Sequence, residues 1–230
     1  MKCIWCHNPE GLRAKPQLVW FEKRCIGCGT CEEVCKNSGL IFSKDGICID
    51  RENCIVCGDC AEECPSEALE LMGKQYDPKE LADIVVKDKI FYETSGGGLT
   101  CSGGEAMIYT QFLEEFLPIV RNEGLHVALD TCGTADSESL DRVLTNVDMV
   151  LLDIKLMDEA KHLEYTGVAL EKVLAAARHI KASGKPLWIR TPVIPGYTDS
   201  AENIAAVAKF INRELGGVER FDLLAFSNLC

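Results

Sequence analysis

The sequence predicts an α/β fold built on a parallel sheet, with a small cysteine-rich module near its N-terminus. Two observations carry this. Beyond residue 73, strand-like apolar runs alternate with helix-patterned stretches, the order that yields parallel strands joined by crossover helices. Between residues 25 and 64, a run of four cysteines at fixed spacing occurs twice.

Composition bounds the function. The 230 residues are 47% hydrophobic and 26% charged, enough for one sizeable core and a satellite module. A formal net charge of −12 argues against a nucleic-acid partner, whose phosphates it would repel. No run of about eighteen apolar residues occurs, so no membrane partner is expected. Fourteen cysteines is a high count, and most fall in tight clusters. Neighbours at i, i+3 make poor disulfides and good metal ligands, so a reducing cytoplasm is the expected compartment.

The first motif is MKCIWCHNPEG, where Cys3 and Cys6 have metal-ligand spacing and are followed by His7 and Asn8. Two thiolates do not hold a cluster alone. The next motif is CIGCGTCEEVC, giving Cys25, Cys28, Cys31 and Cys35; CIVCGDCAEECP repeats it as Cys54, Cys57, Cys60 and Cys64. Twice C-x2-C-x2-C-x3-C is the two-cluster ferredoxin run, in which the fourth cysteine of each repeat serves the other repeat's cluster. That rule assigns Cys25, Cys28, Cys31 and Cys64 to one 4Fe–4S centre, and Cys54, Cys57, Cys60 and Cys35 to another. Gly27, Gly29 and Gly58 let the backbone wrap the sulfides. The rival is a pair of structural zinc sites, a poorer match to this spacing. Cys48, in the alternating stretch DGICID, is expected to be a small core residue.

The α/β part opens at DPKELADIVV, with Asp77 as N-cap, Pro78 in the first turn and Glu80 three residues on. Strands are expected near 98–101, 125–131, 147–154, 186–192 and 219–226. Leu170, Val173, Leu174, Ala177 and Ile180 share one helical face, stopped by Gly184; Ile204, Val207, Ala208 and Ile211 share another. Five strands do not make a full eightfold barrel. Polar residues fall at the C-terminal strand ends, where βα folds build their sites. These are Gly103, Gly104 and Glu105, then Asp130 and Thr131, then Asp153 and Lys155, then Arg190. His126, His162 and His179 are expected at the surface, and Cys101 and Cys132 as small buried fillers.

Taken together, C-x-x-C-H-N-P, the two-cluster insertion, SGGE, DT-x-G, DIK and R-x-x-V-I-P-G resemble the glycyl-radical-enzyme activating enzymes of the radical S-adenosylmethionine superfamily. The resemblance spans essentially the whole chain. It implies a partial (β/α)6 radical SAM barrel with an inserted ferredoxin-like domain: residues 1–20 as the radical-cluster loop, 21–72 as the insertion and 73–230 as the remaining barrel. Cys3 and Cys6 match the last two cysteines of the family's C-x3-C-x2-C loop. A first cysteine and first strand are expected upstream, so the chain reads as truncated there. It also reads as truncated beyond the terminal strand, where Ser227 stands near a histidine common in the family and Cys230 is the last residue.

The resemblance further implies one radical 4Fe–4S cluster, two auxiliary clusters and S-adenosylmethionine as cofactors, with a monovalent cation as an option. Cys3, Cys6, Lys155 and Arg190 would be catalytic. Gly103, Gly104 and Glu105 would receive the methionine amino group. Asp130, Thr131, Asp153 and Lys155 would surround ribose and carboxylate, and Arg190 would meet the methionine end. The partners implied are the glycine loop of a glycyl radical enzyme and a flavodoxin or ferredoxin electron donor, with the chain a monomer. Two alternatives remain at this stage: another radical enzyme of the superfamily, and a non-catalytic two-cluster electron carrier.

Overall fold

The computed structural model describes residues 1–6, 9–44 and 46–226, with the Glu10 side chain excepted. His7, Asn8, Ser227 and Cys230 lie outside that set. Two compact units result: Arg13–Gln75, and Met1–Leu12 together with Tyr76–Cys230. The boundaries expected at 20/21 and 72/73 therefore move outward. Strand β1 (Gln17–Trp20) pairs antiparallel with β4 (Leu69–Met72), Gln17 facing Met72, which draws residues 13–20 into the cysteine-rich unit.

Within that unit the two repeats fold alike. Each carries one helical turn, α1 (Thr30–Glu33) and α2 (Asp59–Glu62), entered through a left-handed glycine, Gly29 or Gly58. Val56 takes the left-handed conformation (φ 59°) that its counterpart Gly27 takes (φ 70°), an uncommon position for a β-branched residue. Strands β2 (Leu40–Ser43) and β3 (Gly46–Ile49) form the second antiparallel pair. Leu18, Leu40, Ile47 and Leu69 make the small core with Cys31 and Cys60. The expectation for Cys48 is overturned. On β3 it is Ile47 that turns inward, and period-2 alternation leaves Cys48 exposed.

The larger unit begins with α3 (Pro78–Val85), whose N-cap Asp77 accepts from the N–H groups of Lys79 and Glu80. After α4 (Lys89–Ser95) come β5 (Leu99–Cys101), α5 (Thr110–Asn122), β6 (Val127–Thr131), α6 (Ser137–Leu144) and β7 (Met149–Asp153). Helices α7 (Glu159–Thr166) and α8 (Leu170–Ala182), β8 (Leu187–Val193), α9 (Ala201–Glu214) and β9 (Arg220–Ala225) complete it. The sheet is parallel with strands in sequential order, β5 to β9. Leu129, Val150, Leu152, Leu187 and Ile189, almost wholly buried, share a core with Leu117, Val173, Ala177 and Val207 from the helices. Among the described residues no helix is long and apolar enough to cross a membrane.

Two histidines are partly or fully exposed, His126 and His179, the latter reaching Asp141 Oδ1 at 2.7 Å. His162 corrects the expectation: it is fully buried, its Nδ1 lies 2.7 Å from the Val168 carbonyl and, among the described residues, its Nε2 has no partner. Burial, with a smaller push from Lys155, holds its pKa below the ordinary histidine value. The neutral ring is thus favoured in the fold. Stability present above the ordinary histidine pKa should be lost as pH falls from there towards the lower folded value, because the unfolded chain binds the proton first. Urea midpoints of wild type and His162→Gln, compared between pH 7.5 and 5, should converge as pH falls; a constant difference would refute the assignment.

Candidate functional site

Strand alternation explains how the polar residues meet. On β7 and β8 the residues Val150, Leu152, Leu187 and Ile189 face the helices, so Asp153 and Arg190 point to the other face of the sheet. Register sets Asp153 directly beside Arg190, and Asp130 beside Leu151 on that same face. The long Arg190 side chain then spans both acids. Its Nε donates to Asp153 Oδ1 at 2.9 Å, and its Nη2 reaches both Asp153 and Asp130. Lys155 Nζ donates to the other Asp153 oxygen at 2.7 Å. Ser102 Oγ donates to Asp130 Oδ2 at 3.1 Å.

Glu105 forms the neighbouring part of the rim and, among the described residues, has no cation. It is 7% exposed, and accepts from Thr131 Oγ1 (2.8 Å), Cys132 N–H (2.7 Å) and Met107 N–H (3.1 Å). Gly104, just before it, lies against Gly11: a Cβ there would stand 2.1 Å from the Gly11 carbonyl oxygen. The close backbone approach alone requires glycine at 104, whatever it does towards a ligand. Gly103 has φ +120° and open space about it.

The Cys3–Cys6 turn belongs to this same unit. Lys2 N–H and Ile4 N–H donate to the Thr166 and Tyr165 carbonyls at 2.8 and 3.0 Å, and Cys6 N–H to the Cys3 carbonyl at 3.1 Å. Trp5 packs on Tyr165 and Tyr197, with centroids 6.2 and 5.7 Å away. Electrostatics tie the turn to the rim. Burial raises the Cys3 thiol pKa while the Lys155 charge opposes it. Lys155 itself loses from burial, yet the Asp153 carboxylate holds its ammonium above the usual lysine value. Burial also opposes the Arg190 charge, and Asp153 and Asp130 outweigh it. Burial pushes Cys132 up to about 12 and Cys101 up to about 11, so both stay thiols at neutral pH.

In the cysteine-rich unit, Cys35, Cys54, Cys57 and Cys60 line one pocket, and Cys25, Cys28, Cys31 and Cys64 line another. Each quartet takes its fourth member from the other repeat. The sulfurs ring a space instead of converging: among the described residues no three His, Cys, Asp or Glu side chains are placed to hold a single ion. All-thiol donors around a cavity suit an iron–sulfur cluster. Burial and the neighbouring Cys35, Cys57 and Cys54 push the Cys60 thiol up to about 11.

Residues 51–209 match the radical SAM superfamily and residues 24–68 a 4Fe–4S dicluster domain. Across its whole length the chain is 38% identical to the trans-4-hydroxy-L-proline dehydratase activating enzyme of Clostridioides difficile, covering 76% of that protein. The chain belongs to the glycyl-radical-enzyme activating enzymes of the radical S-adenosylmethionine superfamily. It is also 37% identical to the benzylsuccinate synthase activating enzyme of Thauera aromatica, over 98% of this chain and 70% of that one. A solved domain of a pyruvate-formate lyase-activating enzyme from Bacteroides vulgatus superposes with TM-score 0.54 at 32% identity, covering 57% of this chain and 82% of the other. As an activating enzyme of this family, the chain is a radical SAM enzyme that cleaves S-adenosylmethionine and acts on a glycyl radical enzyme.

The sequence alone misses several supports of this activating enzyme's rim. Asn203 on α9 is buried; its amide donates to the Lys155 and Thr198 carbonyls at 3.2 and 3.0 Å and accepts from Met157 N–H at 2.9 Å. Thr191 Oγ1 donates to the Ile154 carbonyl at 2.6 Å. Together they fix the chain leaving β7 and hence Lys155. A signal existed for Asn203: it stands four residues before Val207, on the core-facing stripe of a helix, where a polar side chain needs a partner.

Proposed function

We propose that the strand-end rim binds S-adenosylmethionine beside a radical 4Fe–4S cluster to which Cys3 and Cys6 contribute thiolates, on a partial (β/α)6 barrel. The two quartets of the Arg13–Gln75 unit are read as ligands of two auxiliary clusters, with the fourth cysteines exchanged. When bound, the cluster and S-adenosylmethionine would supply one-electron reductive cleavage of the sulfonium and the radical chemistry directed at the partner's glycine. The protein's own share is binding, orientation and exclusion of water.

Charge balance is the observation that carries this reading. Asp130 and Asp153 are offset by Arg190 and Lys155, which leaves Glu105 as the net negative group of the rim. S-adenosylmethionine at neutral pH is a net monocation. A carboxylate offers about four acceptor sites; three on Glu105 are filled by protein donors, leaving room for the methionine ammonium. Arg190 holds Asp130 and Asp153 in place, so its role towards the methionine end is exercised through them. A monovalent cation would have to share those acids with Arg190 and Lys155. Asp130, Thr131, Asp153 and Lys155 remain the residues assigned to ribose and carboxylate, and Gly103 and Gly104 to the turn beneath the amino group. We place the enzyme in the cytoplasm as a monomer, drawing electrons from a flavodoxin or ferredoxin.

The test is anaerobic reconstitution, dithionite reduction and addition of S-adenosylmethionine. Wild type loaded with a third cluster beyond the two quartets should release 5′-deoxyadenosine and methionine in equal amounts. Cys6→Ala should fall to background while keeping about eight irons in the two quartets. A fully iron-loaded wild type with no release would sink the radical reading in favour of an electron carrier.

A further inference from the structure

The two repeats match position for position, so every residue beside one quartet has a counterpart beside the other. Their exposure is the same: Ile26 is 67% and Ile55 66% exposed, and Cys28 and Cys57 both face solvent. Their polar surroundings differ. Thr30, two residues beyond Cys28, holds the Cys28 thiol below its ordinary value through its hydroxyl and N–H. Its counterpart is Asp59, an acid held by Lys36 Nζ at 3.1 Å. Cys64 Sγ accepts the Ala68 N–H at 3.2 Å and pairs with Ser66 Oγ at 3.7 Å. The counterparts beside Cys35 are Gly39 and Asn37, and among the described residues neither hydrogen-bonds the Cys35 sulfur.

Reduction adds one negative charge to a cluster and its sulfurs. Donors aimed at sulfur stabilise that charge, and a nearby carboxylate opposes it; both are recognised controls of cluster potential, as is exposure. The cysteines match in exposure pair by pair, so hydrogen bonding and charge are the terms that differ. We infer that the Cys25–Cys28–Cys31–Cys64 site has the higher reduction potential of the two, with Thr30 and Ser66 on one side and Asp59 on the other setting the difference. An electron delivered to this unit then rests at that site, and the Cys35–Cys54–Cys57–Cys60 site is the stronger reductant. The inference rests on the reading of both quartets as cluster ligands.

The experiment is a mediated redox titration of the reconstituted whole chain, followed by electron paramagnetic resonance, with iron, sulfide and zinc measured on the same samples. A signal perturbed by S-adenosylmethionine is assigned to the radical cluster and set aside. The remaining two should titrate apart by at least a tenfold difference in oxidised-to-reduced ratio, which is 59 mV for a one-electron couple. Thr30→Val and Ser66→Ala should each lower only the upper step, and Asp59→Thr should raise only the lower one. Two clusters titrating together, or a Thr30→Val shift confined to the lower step, would overturn the inference and leave the ligand assignment intact. Zinc in place of iron would overturn both.

Discussion

Asp153→Ala should destabilise the sheet-bearing unit by about 3–5 kcal/mol, the range for removing one partner of a buried ion pair. Asp153 is the hub of the rim: its side chain is 15% exposed, with Lys155 at 8% on one oxygen and Arg190 at 18% on the other. Removing it leaves the Lys155 ammonium without its carboxylate, in surroundings that already penalise the charge. Arg190 keeps Asp130, so the lysine bears most of the loss. Adding Lys155→Met to Asp153→Ala should recover much of the stability, since an apolar replacement of the whole pair needs no counter-charge. Neither variant should release 5′-deoxyadenosine. A loss below 1 kcal/mol in urea denaturation, or no recovery in the double variant, would show that the pair is solvated and not structural.

Glu105→Gln separates charge from scaffold at the other half of the rim. The amide oxygen can still accept from Thr131 or from the Cys132 N–H, so the fold should survive with a modest loss. The ammonium of S-adenosylmethionine would lose an ionised partner. A hydrogen bond to a charged group is worth about 1.5–3 kcal/mol, which corresponds to roughly 10- to 150-fold in affinity. Equilibrium binding of S-adenosylmethionine to the anaerobic cluster-loaded protein should weaken by that factor. Glu105→Ala should be worse in both respects, because the buried N–H groups of Met107 and Cys132 then lack acceptors, at about 1–3 kcal/mol each. Unchanged affinity in Glu105→Gln would remove Glu105 from the ligand site.

The larger activating-enzyme architecture was readable at long range because its signals are periodic or covalently spaced. Strands foreseen at 125–131, 147–154 and 186–192 appear as Val127–Thr131, Met149–Asp153 and Leu187–Val193. Their polar terminal residues do collect on one rim. What could not be read was whom each residue touches there. Arg190 was expected at a ligand carboxylate, yet strand register puts it beside Asp153, and its donors go to two acids of its own sheet.

Cysteine spacing by itself determined the two trios, because three residues of chain bring neighbouring thiols to one side of a tight turn; the fourth cysteine of each quartet arrives from the other repeat only through the tertiary fold. Apolar alternation by itself determined the parallel order, because each strand buries one face beneath the following helix. Only the tertiary structure decided which face of β3 meets the small core, and it turned Cys48 outward and Ile47 inward. A four-residue strand reads equally well in either phase, and a one-residue slip exchanges its faces. Tertiary packing alone also buried His162 and turned Asn203 onto the Lys155 carbonyl. Those contacts join positions distant in sequence or set apart from any motif. A polar side chain finds such a partner only after the helices have closed over the sheet.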